Sequence, residues 1–185
     1  MIKKVIAISG QSGSGKSLLA SFFIKNSNFK VVSISKTMTE VFENMITDFY
    51  KISEKKRQTE ILNLLTNDPD LVSETIYNKT KEIGNEVTLV LDGVRSEKDY
   101  ALLTDQAKVI RLFMYADFVT RATRVKQRDG KPVTYLLMRD ELDNKVGLQD
   151  VFRKADYIIY NHYNVTIEEV KKQINMILEK EELLF

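Results

Sequence analysis

Residues Gly10-Gln11-Ser12-Gly13-Ser14-Gly15-Lys16-Ser17 follow the spacing G-x-x-x-x-G-K-[ST]. A chain that wraps a triphosphate must turn successive backbone N–H groups inward, and glycine reaches the required conformations cheaply. A helix opening near Lys16 adds its positive end, so the amides of Lys16, Ser17 and Leu18 join the cradle. Lys16 can reach the β and γ oxygens as a mobile charge, and Ser17 can offer its hydroxyl to Mg²⁺. A chance match somewhere in 185 positions has a probability of roughly 1%. An apolar strand before the motif and an amphipathic helix after it reduce that further. The motif points to a nucleoside triphosphate and does not say what happens to it.

A second element must support the metal. Asp92 ends the apolar run Thr88-Leu89-Val90-Leu91, at the carboxyl end of a strand, and is the candidate metal and substrate residue there. The next residue is Gly93, where a hydrolytic motor would carry a water-activating Glu. Segments Asp92-Gly93-Val94-Arg95 and Asn144-Lys145-Val146-Gly147 both miss, at the last position, the patterns of a GTPase switch and a guanine reader. These absences favour transfer to a bound acceptor over hydrolysis, and ATP over GTP.

A migrating phosphoryl group needs cations around its equatorial oxygens. Arg95 lies three residues past Asp92, where an acceptor's anion would sit. Arg121, Arg124 and Arg128 follow the fourth strand as further candidates; Arg124 and Arg128 share a helix face, and the rival reading, a charged surface helix, suits Arg121 best. Arg139 sits in the polar stretch Arg128–Gly147, read as a loop or lid. Lys16, Arg128 and Arg139 are the candidate catalytic cations.

The elements that must position these groups alternate. Strands are expected at Val5–Ser9, Val31–Ile34, Val87–Leu91, Val109–Tyr115 and Tyr157–Tyr160, with helices over Ser17–Lys25, much of Thr37–Ile83, Asp117–Gln127 and Thr166–Glu181. Asp68-Pro69-Asp70 punctuates the long helical stretch. Such alternation implies an α/β fold with a parallel sheet covered on both faces. With 185 residues, 43% hydrophobic and 29% charged, the chain suits one soluble domain. The absence of cysteine excludes disulfides, thiolate metal sites and a cysteine nucleophile, and the single His162 excludes a multi-histidine metal site. A net charge of +2 argues against a nucleic-acid partner. No membrane-spanning apolar run or signal peptide is evident, so a cytoplasmic location is expected.

Gly10–Ser17, Leu91-Asp92-Gly93-Val94-Arg95-Ser96, the arginine helix, Arg139-Asp140 and Ala155-Asp156-Tyr157 with Asn161 together resemble the P-loop small-molecule kinases. That group includes the nucleoside monophosphate kinases and dephospho-CoA kinase. The chain is most similar to a mainly archaeal family of dephospho-CoA-kinase-like ATP-binding proteins. The resemblance implies a three-layer α/β/α P-loop NTPase fold with a five-stranded parallel sheet in the order 2-3-1-4-5. It implies a core of 1–35, 86–127 and 148–185, an acceptor region over about 36–85 and a lid over about 128–147. It also places the loop after Asn161 near the adenine, and Asn161 and Arg124 are candidate nucleotide-binding residues. One departure is chemical. Where dephospho-CoA kinases carry an Asp that takes the acceptor's proton, this chain reads Ser33-Ile34-Ser35-Lys36. A charged Lys36 cannot be that base, but could hold an anionic acceptor. A phosphate acceptor, already ionised, needs no base. The expected activity is an ATP- and Mg²⁺-dependent phosphotransferase acting on a small phosphorylated acceptor, nucleoside monophosphate-like or CoA-precursor-like. The rival expectation is a nucleotide-binding regulatory module or slow ATPase.

Overall fold

The computed structural model describes residues 4–183 other than 69, 82 and 84–86. Five strands, β1 (Lys4–Ser9), β2 (Phe29–Ser33), β3 (Thr88–Val94), β4 (Lys108–Tyr115) and β5 (Tyr157–Tyr160), form one sheet in the order β2-β3-β1-β4-β5. Every pairing is parallel. The expected topology is therefore present. The Leu183 side chain docks against the core, while the last two residues of the expected tail lie outside the described chain, as does Pro69.

The two-residue period of β1 builds two cores at once. Val5 and Ala7 face one side, where Leu89 and Leu91 of β3 join helices α2 (Ile34–Met45) and α4 (Leu71–Thr80). Ile6 and Ile8 face the other side, with Ile110, Leu112 and Met114 of β4 against α1 (Lys16–Ile24) and α9 (Ile167–Lys180). The layers are thus helix, sheet, helix. Helix α3 (Glu54–Asn67) completes the helical insertion between β2 and β3. A 3-10 turn at Glu97–Tyr100 and the short α5 (Ala101–Thr104) lead into β4. Asp156 accepts from the Arg111 amide at 2.8 Å and fixes the entry to β5.

Two local expectations need correction. The polar stretch after residue 128 is helical: α6 (Phe118–Asp129) is followed by α7 (Val133–Lys145) and α8 (Leu148–Arg153). The inward side of α7 carries Asp143 as well as Leu136, so hydropathy alone conceals its helical period. Gly130 closes α6 in the left-handed conformation and Pro132 precedes the first turn of α7, so the glycine–proline signal marks a boundary between helices.

The other correction concerns Asp92, which does not end its strand. β3 continues through Gly93 to Val94, and the register with β1 slips there: Ile8 pairs with Asp92 and Ser9 with Val94. Gly93 is the extra residue of a β-bulge, with φ 95°. A Cβ added at Gly93 would meet nothing within 4 Å, so its demand is purely conformational. The bulge lies between Asp92 and Arg95 and sets how the chain leaves the sheet. Gly93→Ala is expected to cost about 1–2 kcal/mol by forcing a side chain into this region, read as a shift in the denaturant midpoint. Unchanged stability would show that the bulge relaxes without cost.

Candidate functional site

β1 lies where the strand order reverses, between β3 and β4, so a crevice opens beyond its carboxyl end. Residues 10–15 fill that crevice and lead directly into α1. Gly15 has φ 106°, and a Cβ there would fall 2.3 Å from Asn161 Nδ2. Asn161 is buried and donates from that nitrogen to the Ser14 carbonyl at 2.7 Å. The loop is therefore held from outside by the end of β5. Arg124 holds the same segment, donating to Asn161 O at 3.0 Å and to Asn161 Oδ1 at 3.2 Å.

Within the loop, Ser14 N–H donates to Gln11 O. The amides of Ser12, Gly13, Gly15, Lys16 and Ser17 find no acceptor among the described residues, although Leu18 N–H is taken by Gly15 O. The buried Ser14 hydroxyl also lacks a partner. Unpaired donors converging on one concavity have the chemistry of an anion cradle. Lys16 Nζ bends back to Gly10 O at 2.6 Å and Gln11 O at 3.0 Å.

Around Lys16 the fold gathers Arg95, Asp143, Asp92 and Arg139. Burial, first, and the charge of Arg95 push the Lys16 ammonium down to about 8, against the opposing pull of Asp143 and Asp92. Burial raises the Asp92 carboxyl, and Lys16 counteracts it. Asp143, 4% exposed, bridges the two arginines: Arg95 Nε lies 3.1 Å and Arg139 Nη2 3.9 Å from its Oδ1. Arg95 is set by Asp99, which accepts from the amides of Arg95 at 2.7 Å and Ser96 at 3.1 Å.

This cluster borders a cleft of about 300 Å³ between the sheet, α2–α4 and α7. Its apolar wall includes Met38, Phe42, Ile61, Leu65, Val72 and Leu142; its charged end carries Arg95, Arg139 and Asp143. A second cleft of about 380 Å³ lies between Gln11, the aromatic rings of Phe113, Tyr115 and Phe152, and α8.

The candidates thus divide. Gly10–Leu18, Asp92, Arg95 and Arg139 come together, and Arg124 and Asn161 brace the loop. Lys36 is exposed on α2 and does not line the cleft. Arg128 is exposed and pairs with its neighbour Asp129 at 2.6 Å. One contributor was undervalued in the sequence and one was missed. Arg121, expected at the surface, is buried, forked onto Asp140 at 2.8–2.9 Å and bonded to Ser12 O at 3.2 Å. Asp143 was missed because its stretch was read as loop; its spacing of four from Arg139 is the ion-pair signal a helical reading would have exposed.

A phosphate fits these residues: the free amides and the orphaned Ser14 hydroxyl can donate, and Lys16 supplies charge. Among the described residues no group of three or more acidic, His or Cys side chains could hold a metal by itself. Ser17, exposed at the loop, and Asp92 suit Mg²⁺, which keeps waters and takes phosphate oxygens alongside one or two protein groups.

No family model matches the chain. It is 27% identical over 183 residues to a UPF0200 protein of Sulfurisphaera tokodaii, covering 96% of this chain and 97% of that one. It is 25% identical over 187 residues to a UPF0200 protein of Pyrobaculum aerophilum, covering 94% and 96%. Among solved structures, TT1252 from Thermus thermophilus superposes with TM-score 0.63 at 16% identity, covering 97% and 98%. A gluconokinase from Sinorhizobium meliloti gives 0.56 at 14% identity, covering 98% and 97%. A shikimate kinase from Bacteroides thetaiotaomicron gives 0.54 at 16% identity, covering 97% and 98%. The chain shares its fold with these structures, two of them kinases of different small molecules, and the likeness does not single out the dephospho-CoA-kinase-like family that the sequence resembles.

Two outcomes test the loop. Gly15→Ala is expected to destabilise by about 2–4 kcal/mol, from left-handed strain plus the clash with Asn161. In an Asn161→Ala background the same change should cost less, because only the strain remains; equal costs in denaturant titrations would refute the contact. Lys16 predicts a pH effect. Between about pH 8 and 10.5 the unfolded chain holds a proton that the folded chain has lost, so stability from this group rises with pH. Lys16→Met should be more stable than the wild type at pH 7, by at most about 3 kcal/mol, with the advantage shrinking by pH 10. A constant difference across that range would contradict a depressed lysine.

Proposed function

We propose that the protein is an ATP- and Mg²⁺-dependent kinase that transfers the γ-phosphoryl group to a small phosphorylated acceptor in the 300 Å³ cleft. The observation that carries this reading is the shared position of Lys16: it belongs to the loop of unpaired amides and lies in the field of Arg95 and Arg139 at the charged end of the cleft. A donor cradle and an acceptor pocket that meet at one ammonium suit transfer between two bound molecules.

The loop amides and Lys16 would hold the triphosphate, and Ser17 and Asp92 would hold the metal. Mg²⁺, when bound, would neutralise phosphate charge. Arg139 would share the charge on the migrating group, and Arg95 would hold the acceptor. Arg124 and Asn161 would act by keeping the loop in shape. An acceptor oxygen attacks Pγ in line as the bond from Pγ to the leaving ADP oxygen breaks. Lys36 and Arg128 have no part in this arrangement. Asp143 and Asp99 are the described carboxylates at the cleft, but two guanidinium groups face the one and two backbone amides bind the other. That supports an acceptor needing no general base, such as a phosphate. The likeness to proteins named shikimate kinase and gluconokinase supports the reaction class.

The test is ADP formation across a panel of nucleoside monophosphates, other organic phosphates and pantothenate derivatives. A sharp rise with one acceptor is expected, as is a loss of ATP binding in Lys16→Ala by at least tenfold. Flat, slow hydrolysis across the panel would favour a regulatory nucleotide-binding module and sink the kinase reading.

A further inference from the structure

We infer that the acceptor cleft is built for the monophosphate ester of an apolar alcohol, and against sugar, polyol and nucleoside phosphates. The inference rests on the kinase reading for the word acceptor alone; the chemistry of the cleft stands without it.

The polar side chains of the cleft wall are few, and each already has a protein partner. Thr39 Oγ1 donates to Ser35 O at 2.8 Å, and Ser35 Oγ lies 3.3 Å from Ser33 Oγ. Asp99 Oδ2 accepts from two backbone amides, and Asp143 Oδ1 faces Arg95 and Arg139. Beyond these, the described wall is apolar. A polyhydroxylated body would leave its hydroxyls unpaired against that wall, a mismatch that excludes ligands strongly. The charged end is different. Arg95 and Arg139 converge on one carboxylate oxygen, so a dianionic phosphate can compete for the same donors.

The dimensions agree. Ser35, Met38 and Phe42 mark successive turns of α2 along the cleft, a span of roughly 10 Å from the charged end. That length accepts a short chain or a ring. The corresponding step joins a terminal oxygen of the ester phosphate to Pγ and breaks the bond from Pγ to ADP. The products are a diphosphate monoester and ADP, and no proton need move.

The experiment is calorimetry on the full chain with inorganic, n-propyl, n-butyl and n-hexyl phosphate, ribose 5-phosphate and AMP, with and without Mg²⁺ and a non-hydrolysable ATP analogue. Affinity should rise about three- to fourfold per methylene, the free-energy equivalent of burying one. Ribose 5-phosphate and AMP should bind at least tenfold more weakly than hexyl phosphate when the analogue fills the loop. Arg95→Gln should weaken every phosphate at least tenfold, and Leu65→Asn should flatten the chain-length series. Should Leu65→Asn fail to fold, Thr39→Val is expected to preserve the series, and its loss there would count against the proposal. A flat series, or tighter binding of ribose 5-phosphate or AMP, overturns it. The two readings fail separately: loss of analogue binding with the series intact removes the kinase, and a flat series with analogue binding intact removes the apolar ester.

Discussion

A run of backbone donors without acceptors, next to a partly buried ammonium, is the constraint around which the site is arranged. Buried polar groups left unpaired cost free energy comparable to a lost hydrogen bond each. Here the amides of Ser12, Gly13, Gly15, Lys16 and Ser17 lack a protein acceptor in a partly exposed loop, the Ser14 hydroxyl is buried without one, and Lys16 is pushed down to about 8. The rest of the fold offsets the cost. β1 is buried on both faces, and its neighbours β3 and β4 pair with it along their length. A polyphosphate would give the amides acceptors and the Lys16 ammonium a counter-charge together, in one binding event.

The loop is also clamped by side chains from distant parts of the chain. Asn161 reaches Ser14 from β5, Arg124 grips Asn161 from α6, and Arg121 touches Ser12 while forking onto Asp140 of α7. Arg121 is 3% exposed, so the Asp140 partner is needed to keep a guanidinium there. Breaking a pair of this kind by removing one member costs about 3–5 kcal/mol, because a charge is left buried. The position of α7 is therefore coupled to the shape of the phosphate cradle. That coupling explains why the stretch after α6 folds as helix despite its polar composition: its inward residues are chosen for ionic partners.

Much of this was readable in the sequence where hydropathy and spacing carry the information. The alternation of Val5, Ile6, Ala7 and Ile8 between two cores follows from a buried strand, and the glycine–lysine spacing announces its own chemistry. The order of strands came through resemblance, and the structure has that order. What stayed hidden depends on tertiary partners. Arg121 looks like any helix-surface arginine until Asp140 is packed against it. Lys36, flanked by the cleft residues Ser35 and Met38, does not line the cleft because a helix rotates about 100° per residue. Arg128 is close to the lid in sequence, yet Asp129 takes its charge.

The charges at the junction of cradle and cleft nearly balance. Lys16, Arg95 and Arg139 stand against Asp92 and Asp143, so the ligand-free site is held near neutrality by its own carboxylates. Such a site does not need an anion to fold, but any anion that enters must compete with Asp143 for the two arginines. Asp143 belongs to α7, as does Asp140, and α7 is tied through Arg121 to the phosphate loop. Displacing Asp143 therefore acts on the same helix that braces the donor cradle. By reciprocity, whatever change the displacement of Asp143 makes in the cradle's affinity for an anion, filling the cradle makes in the hold of Asp143 on Arg95 and Arg139. The α7 helix is thus the element through which each half of the site can sense the other.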